Sequence, residues 1–199
     1  MSNIDQANKG SLAGTMQQVF RNYMMQVDGM LPCEVVSYQA PDRVTVRPLV
    51  KMLTTDGLHV ERPTIANIPV FRLGGGGFVI RFPLKQGDKG WIIASDRDIS
   101  LMMQRKWRPD IPNTERIKSF SDGLFLPDPQ DWCASDESAL TIQSDDGSTT
   151  IEVSNGSIKL KASSIELESS TLTHNGVNIG SDHTHTDVQP GNGKTGKPE

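Results

Sequence analysis

Hydrophobic positions divide the chain into one stretch of helical period followed by two longer stretches of period two. Met16, Val19, Phe20, Tyr23, Met24 and Val27 recur at i, i+3, i+4 spacing behind the cap-forming Ser11 and Thr15, which predicts an amphipathic helix of about three turns. Its apolar stripe needs cover, and the expectation is a lid packed on the domain that follows. From residue 31 to about 96 the pattern changes to short β-rich runs, CEVVSY, RVTVRPLV, IANIPVFRL, GFVIRFPL and GWIIAS, separated by the turn-forming APDR, TTDG and QGDKG. Phe71, Phe78, Phe82 and Trp91 stand among aliphatics there and are expected in a core. Residues 96–107 (DRDISLMMQRKW) suit a short helix closed by Pro109, and TERIKSFSDGLFLPDPQDW reads as an ordered crossing segment.

Five short strands in about 65 residues predict a small closed or partly closed barrel, for which the oligonucleotide/oligosaccharide-binding (OB) barrel is the natural candidate. Past Trp132 the apolar residues alternate with Ser, Thr, Lys and Glu. Leu140 and Ile142, Ile151 and Val153, Ile158 and Leu160, Ile165 and Leu167, and Val177 and Ile179 form i, i+2 pairs. About 45 residues without an aromatic side chain cannot close a useful core alone, so other chains must supply the missing half. Three copies winding about one axis would turn every pair inward and give a stiff β-prism with a polar exterior. A flexible or glycosylated linker would lack such alternation and be richer in proline.

Composition narrows the function classes. A net charge of −4 carries no basic excess, so nucleic acid is not expected as a partner. The opening MSNIDQANKGSLAG lacks the basic flank and apolar run of a secretory signal, and the expectation is a soluble protein made in the cytoplasm. Cys33 and Cys133 match no metal spacing and are expected to be free structural thiols.

The sharpest candidate chemistry is the pair His183 and His185, which on an extended strand would face the same side. Two imidazoles do not complete a metal shell, since a structural zinc needs about four ligands and an octahedral ion about six. Three copies meeting on an axis would bring six histidine nitrogens together and fill an octahedron. Asp182 and Asp187 flank the pair as candidate partners for the imidazole N–H groups. HTHTD also looks like the HxHxDH motif of metallo-β-lactamase-like hydrolases, but Val188 stands where that motif has histidine, and only a short Gly/Pro/Lys tail follows where that fold needs further ligands. GNGKT (191–195) lacks the first glycine of a phosphate loop, and GGGG (74–77) has neither dinucleotide-loop spacing nor a helix behind it, so a flexible barrel loop is expected there.

Two stretches resemble one known family. HNGVNIGSDHTHTDVQPGNGKTG (174–196) is similar to the spike-tip sequence of contractile-tailed bacteriophages, with the pattern N-G-x-x-I-G-x-x-H-x-H and a Pro-Gly, Thr-Gly tail. PCEVVSYQAPDRVTVRPLV through GGGGFVIRFPLKQGDKGWIIASDRDIS, then SDGLFLPD, resembles the N-terminal domain of phage baseplate central spike proteins. The resemblance implies a mainly β protein: a helical arm (1–30), an OB-fold-like barrel with a short helix and connecting segment (31–130), an intertwined trimeric β-helix shaft (131–180) and a metal-capped tip (181–199). It implies a homotrimer whose N-terminal domain joins the tail tube or baseplate hub and whose tip meets the bacterial outer membrane. It further implies an iron ion held octahedrally by His183 and His185 of three chains, with additional axial ions compatible, a place at the tip of the tail baseplate in the virion, and no catalysis. The alternative is an OB-fold binding module for nucleic acid or glycan with a trimerising β tail.

Overall fold

The computed structural model describes residues 10–25, 27–39, 41–54, 57–129, 138–181, 183 and 191. It divides into two compact units, Met1–Trp132 and Cys133–Glu199. Helix α1 (Leu12–Met24) opens the first unit, and the Ser11 side chain caps it by accepting the Gly14 N–H at 3.0 Å. Contrary to the lid expectation, the stripe of Met16, Val19, Phe20, Tyr23 and Met24 is exposed rather than packed on the barrel of its own chain.

The elements that follow are β1 (Met30–Gln39), β2 (Arg43–Pro48), β3 (Met52–Leu53), β4 (His59–Val60), β5 (Ile65–Pro69), β6 (Leu73–Gly75), β7 (Phe78–Ile80), β8 (Lys89–Ser95), helix α2 (Ser100–Gln104) and β9 (Ser119–Pro127). Five of these strands form one antiparallel sheet in the order β5-β2-β1-β8-β9. Its outer strands meet where Val70 bridges Phe125 and the Phe71 N–H donates to the Phe125 carbonyl at 2.7 Å, so the sheet is a nearly closed barrel. Alternation places Cys33 and Val35 of β1, Val44 and Val46 of β2, Ile68 of β5, Ile92 of β8 and Phe120 and Phe125 of β9 inside it. Each large apolar side chain so buried contributes about 1.5–3 kcal/mol. Burial in this apolar surround pushes the free Cys33 thiol up to about 12, which keeps it inert as a nucleophile. Cys133 lies outside the described residues.

Three expectations for this unit are corrected. The fifth barrel strand is β9, drawn from the segment expected to be a crossing connection, while GFVIRFPL supplies only β7 of a small β6–β7 hairpin. Because that hairpin leaves the sheet, Phe78 is 83% exposed and Phe71 and Phe82 are exposed too, instead of filling the core. Trp91 is half-buried, its indole N–H donating to Asp128 at 2.6 Å. The GGGG run is part of a hairpin and not a loose loop: Gly74 and Gly75 end β6, and Gly76 and Gly77 both have positive φ, the conformation that a two-residue turn of this hand requires.

The second unit contains β10 (Leu140–Gln143), β11 (Thr150–Ser154) and β12 (Ser157–Lys161) as an antiparallel meander, then the hairpin β13 (Thr173–His174) and β14 (Val177–Asn178). Asn175 and Gly176 both take positive φ between β13 and β14, the expected chemistry of an Asn-Gly turn. Ile165 and Leu167 lie outside any strand. Among the described residues, no helix is long and apolar enough to cross a membrane.

Candidate functional site

The meander shows why its apolar residues alternate. Its register sets Leu140 opposite Val153 and Val153 opposite Ile158, and Ile142 opposite Ile151 and Ile151 opposite Leu160. Directly opposed residues share a face, so six branched side chains form one apolar surface, three strands wide and two residues long. The other face is polar: Thr141, Glu152 and Lys159 lie in one row, with Lys159 Nζ 3.3 Å from Glu152. All six apolar residues remain exposed, from Val153 at 38% to Ile158 at 73%. No layer of the second unit's described residues covers this face, and a contiguous exposed apolar patch of this kind marks an interaction surface.

His183 follows β14 on a turn with its own hydrogen-bond framework. The Ile179 N–H donates to the Leu172 carbonyl at 2.8 Å, and the Gly180 N–H donates to Asn178 Oδ1 at 2.8 Å. The Gly180 carbonyl then accepts from the His183 backbone N–H at 3.2 Å and lies 2.6 Å from the ring Nδ1. Metal-bound histidines commonly hold their second nitrogen in this way, so His183 fits the chemistry of an imidazole ligand. His185 lies outside the described residues, as do Asp182 and Asp187. Among the described residues no three His, Cys, Asp or Glu side chains come together as a ligand set. His59 and His174 sit apart from His183 in sequence, on β4 and β13, and both are on exposed strands.

A polar cluster in the first unit has no counterpart in the sequence reading. Asp98 and Asp122 are buried carboxylates, and Arg116 joins them through Nη2 to Asp98 at 3.2 Å and Nε to Asp122 at 3.0 Å. Asp98 also accepts from the Ser100 N–H at 2.9 Å and the Thr114 hydroxyl at 2.7 Å. The neighbouring Ser100 and Thr114 donors, with Arg116 beyond them, hold its carboxyl well below the usual range. The Ser100 hydroxyl makes no well-formed hydrogen bond itself, so the two directed bonds from the Ser100 amide and Thr114 carry most of this effect. The Ser100 amide, the Thr114 hydroxyl and Arg116 Nε and Nη2 are all directed at the two carboxylates, an arrangement that ties 98–122 together rather than one that activates a nucleophile. No signal for it stands in the sequence, because the inward position of Asp122 is defined only once β9 is paired.

Comparison with known proteins bears on the first unit. No curated protein matches the chain. Residues 31–128 match the family model described as the phage protein Gp138 N-terminal domain, a span that contains every strand of the barrel except the first residue of β1. This similarity supports a phage structural protein with a virion-associated location.

Proposed function

We propose that the chain is a homotrimeric cell-puncturing spike at the tip of a contractile phage tail or a related injection particle, driven through the bacterial outer membrane when the tail contracts. The observation that carries this reading is the second unit's uncovered sheet face, six in-register apolar residues backed by a polar face. Three such faces turned to one axis would remove every one of those side chains from water, and symmetry makes a closed trimer a natural solution. The phage-domain similarity of residues 31–128 supports the virion context. In this proposal 1–30 is an arm, 31–130 is an OB-fold-like barrel that joins the tube or hub, 131–180 is an intertwined β-helix shaft and 181–199 is the tip.

At the tip, His183 and His185 from three chains would hold one iron ion in an octahedral shell. Bound there, the ion would tie three chain ends together where fraying begins. The work of the protein is mechanical: it transmits force along a narrow rigid body and catalyses no reaction. Rigidity follows if each strand's apolar side is held by neighbouring chains, because buckling then requires uncovering those side chains.

Light-scattering mass combined with elemental metal analysis tests the proposal, run on the wild type beside a His183→Ala, His185→Ala double variant. The expected result is a trimer with one iron per three chains, and a variant that keeps the trimer and loses the metal. A monomer, or one zinc per chain, refutes it. The exposure of Phe71, Phe78 and Phe82 favours one second reading, a barrel that binds glycan or nucleic acid with these rings as a stacking surface. That reading requires ligand-dependent fluorescence at Trp91 or the exposed Trp107, which a spike would not show.

A further inference from the structure

We infer that Asn178 and Gly180 are positioning residues that commit Nε2 of His183 as the atom donated to a metal. This inference rests on the reading of His183 as a ligand and adds which nitrogen serves and what selects it. It starts from the 2.6 Å contact between His183 Nδ1 and the Gly180 carbonyl oxygen. A carbonyl oxygen has no hydrogen to give, so Nδ1 must be the donor in that bond. A neutral imidazole carries one ring hydrogen, and with it placed on Nδ1 the lone pair resides on Nε2. Neutral imidazole is the form that binds metal, so the carbonyl has already chosen the ligating atom before an ion arrives.

The carbonyl can do this only if its own peptide is held. Asn178 provides the hold: its Oδ1 accepts the Gly180 N–H at 2.8 Å, an Asx-type turn that redirects the chain as it leaves β14. Asn178 is fixed in turn by its place opposite Thr173 in the β13–β14 pair, and Ile179 is tied to the Leu172 carbonyl at 2.8 Å. The β13–β14 pair thus holds Asn178, Asn178 holds the Gly180 peptide, and the Gly180 carbonyl meets the histidine ring. An exposed imidazole without such a partner would exchange its hydrogen between both nitrogens and rotate freely, at a cost in affinity of about 10- to 100-fold for metal sites of this kind.

The test uses the full chain with isotopically labelled histidine nitrogens, first metal-free and then titrated with zinc(II) as a diamagnetic probe. Nuclear magnetic resonance reads the tautomer directly. The wild type is expected to show His183 with hydrogen on Nδ1 in the metal-free state and zinc-shifted Nε2 on titration. Asn178→Ala is expected to lose the single tautomer and bind zinc(II) about 10- to 100-fold more weakly, with an unchanged melting temperature of the barrel. Asn178→Asp keeps the acceptor oxygen and is expected to restore both properties. A metal-free wild type with hydrogen on Nε2, or an Asn178→Ala variant of unchanged affinity, overturns the inference while leaving His183 a ligand. If His183→Ala binds zinc(II) as the wild type does, the ligand assignment itself fails, and the inference falls with it.

Discussion

Replacing Ile158 with serine separates a surface that water covers from one that other chains cover. Ile158 is 73% exposed in the single chain, and full burial of such a side chain is worth about 1.5–3 kcal/mol. Covering what remains exposed would therefore stabilise the assembly by about 1–2 kcal/mol per chain, or about 3–6 kcal/mol in a symmetric trimer. Ile158→Ser should forfeit that amount, which corresponds to about two to four powers of ten in the association constant. Sedimentation equilibrium over a dilution series, with thermal melting at each concentration, reads both quantities. Lys159→Ala, on the opposite face and in an exposed ion pair with Glu152, is the control, expected to stay within about 0.5 kcal/mol of wild type. If Ile158→Ser also stays within that margin and leaves the mass unchanged, the face is not an interface and the trimeric spike loses its main support.

Two further predictions concern the barrel. A methyl group at Gly90 would meet the Leu126 carbonyl oxygen and come within 2.6 Å of the Phe125 ring, so Gly90→Ala should lower stability by about 1–3 kcal/mol, seen as an earlier midpoint in urea followed by tryptophan fluorescence; an unmoved midpoint would show that the β8–β9 approach is looser than described. Asp98 has a carboxyl pKa lowered by folding, so its contribution is fully present above the unfolded value of about 4 and is lost as pH falls through the folded value. Asp98→Asn should therefore melt below wild type at pH about 7, with the gap narrowing at pH about 3; an equal gap at both would assign the effect to packing and not to charge.

Where each side chain faced one environment, the sequence was readable. In β1 and β2 the buried Cys33, Val35, Val44 and Val46 alternate with partly exposed partners, and period two suffices to find both strands. β9 escaped because its inward positions include Asp122 and Gly123, and neither looks like a core residue without Arg116 or the close approach of β8 in view. The phenylalanines of 71–82 misled for the opposite reason. A hairpin that leaves the sheet has the same alternation as a barrel strand, and only pairing decides whether the apolar side is covered. In the second unit the i, i+2 pairs announced an apolar face, and the register aligned three of them on it. The fourth pair, Ile165 and Leu167, is not in a strand, and a pairing partner is what local pattern cannot supply. At the candidate tip, the histidine was visible in the sequence, but its carbonyl partner was not, since a backbone oxygen has no letter.

The meander also sets the order of events as a new chain folds. β10, β11 and β12 pair with their immediate neighbours along the chain, whereas the barrel must bring Phe71 to Phe125 and Phe120 to Asp28 before it closes. Short hairpin loops close faster than the long loops of the barrel, so in a full-length chain the strands of the meander meet while the barrel is still searching. During that interval a bare apolar face lies beside the open edges of β10 and β12, and any similar strand in reach can pair with them. Yield should then depend on how soon the right neighbours arrive, which favours synthesis of several copies close together over dilute refolding of separate ones.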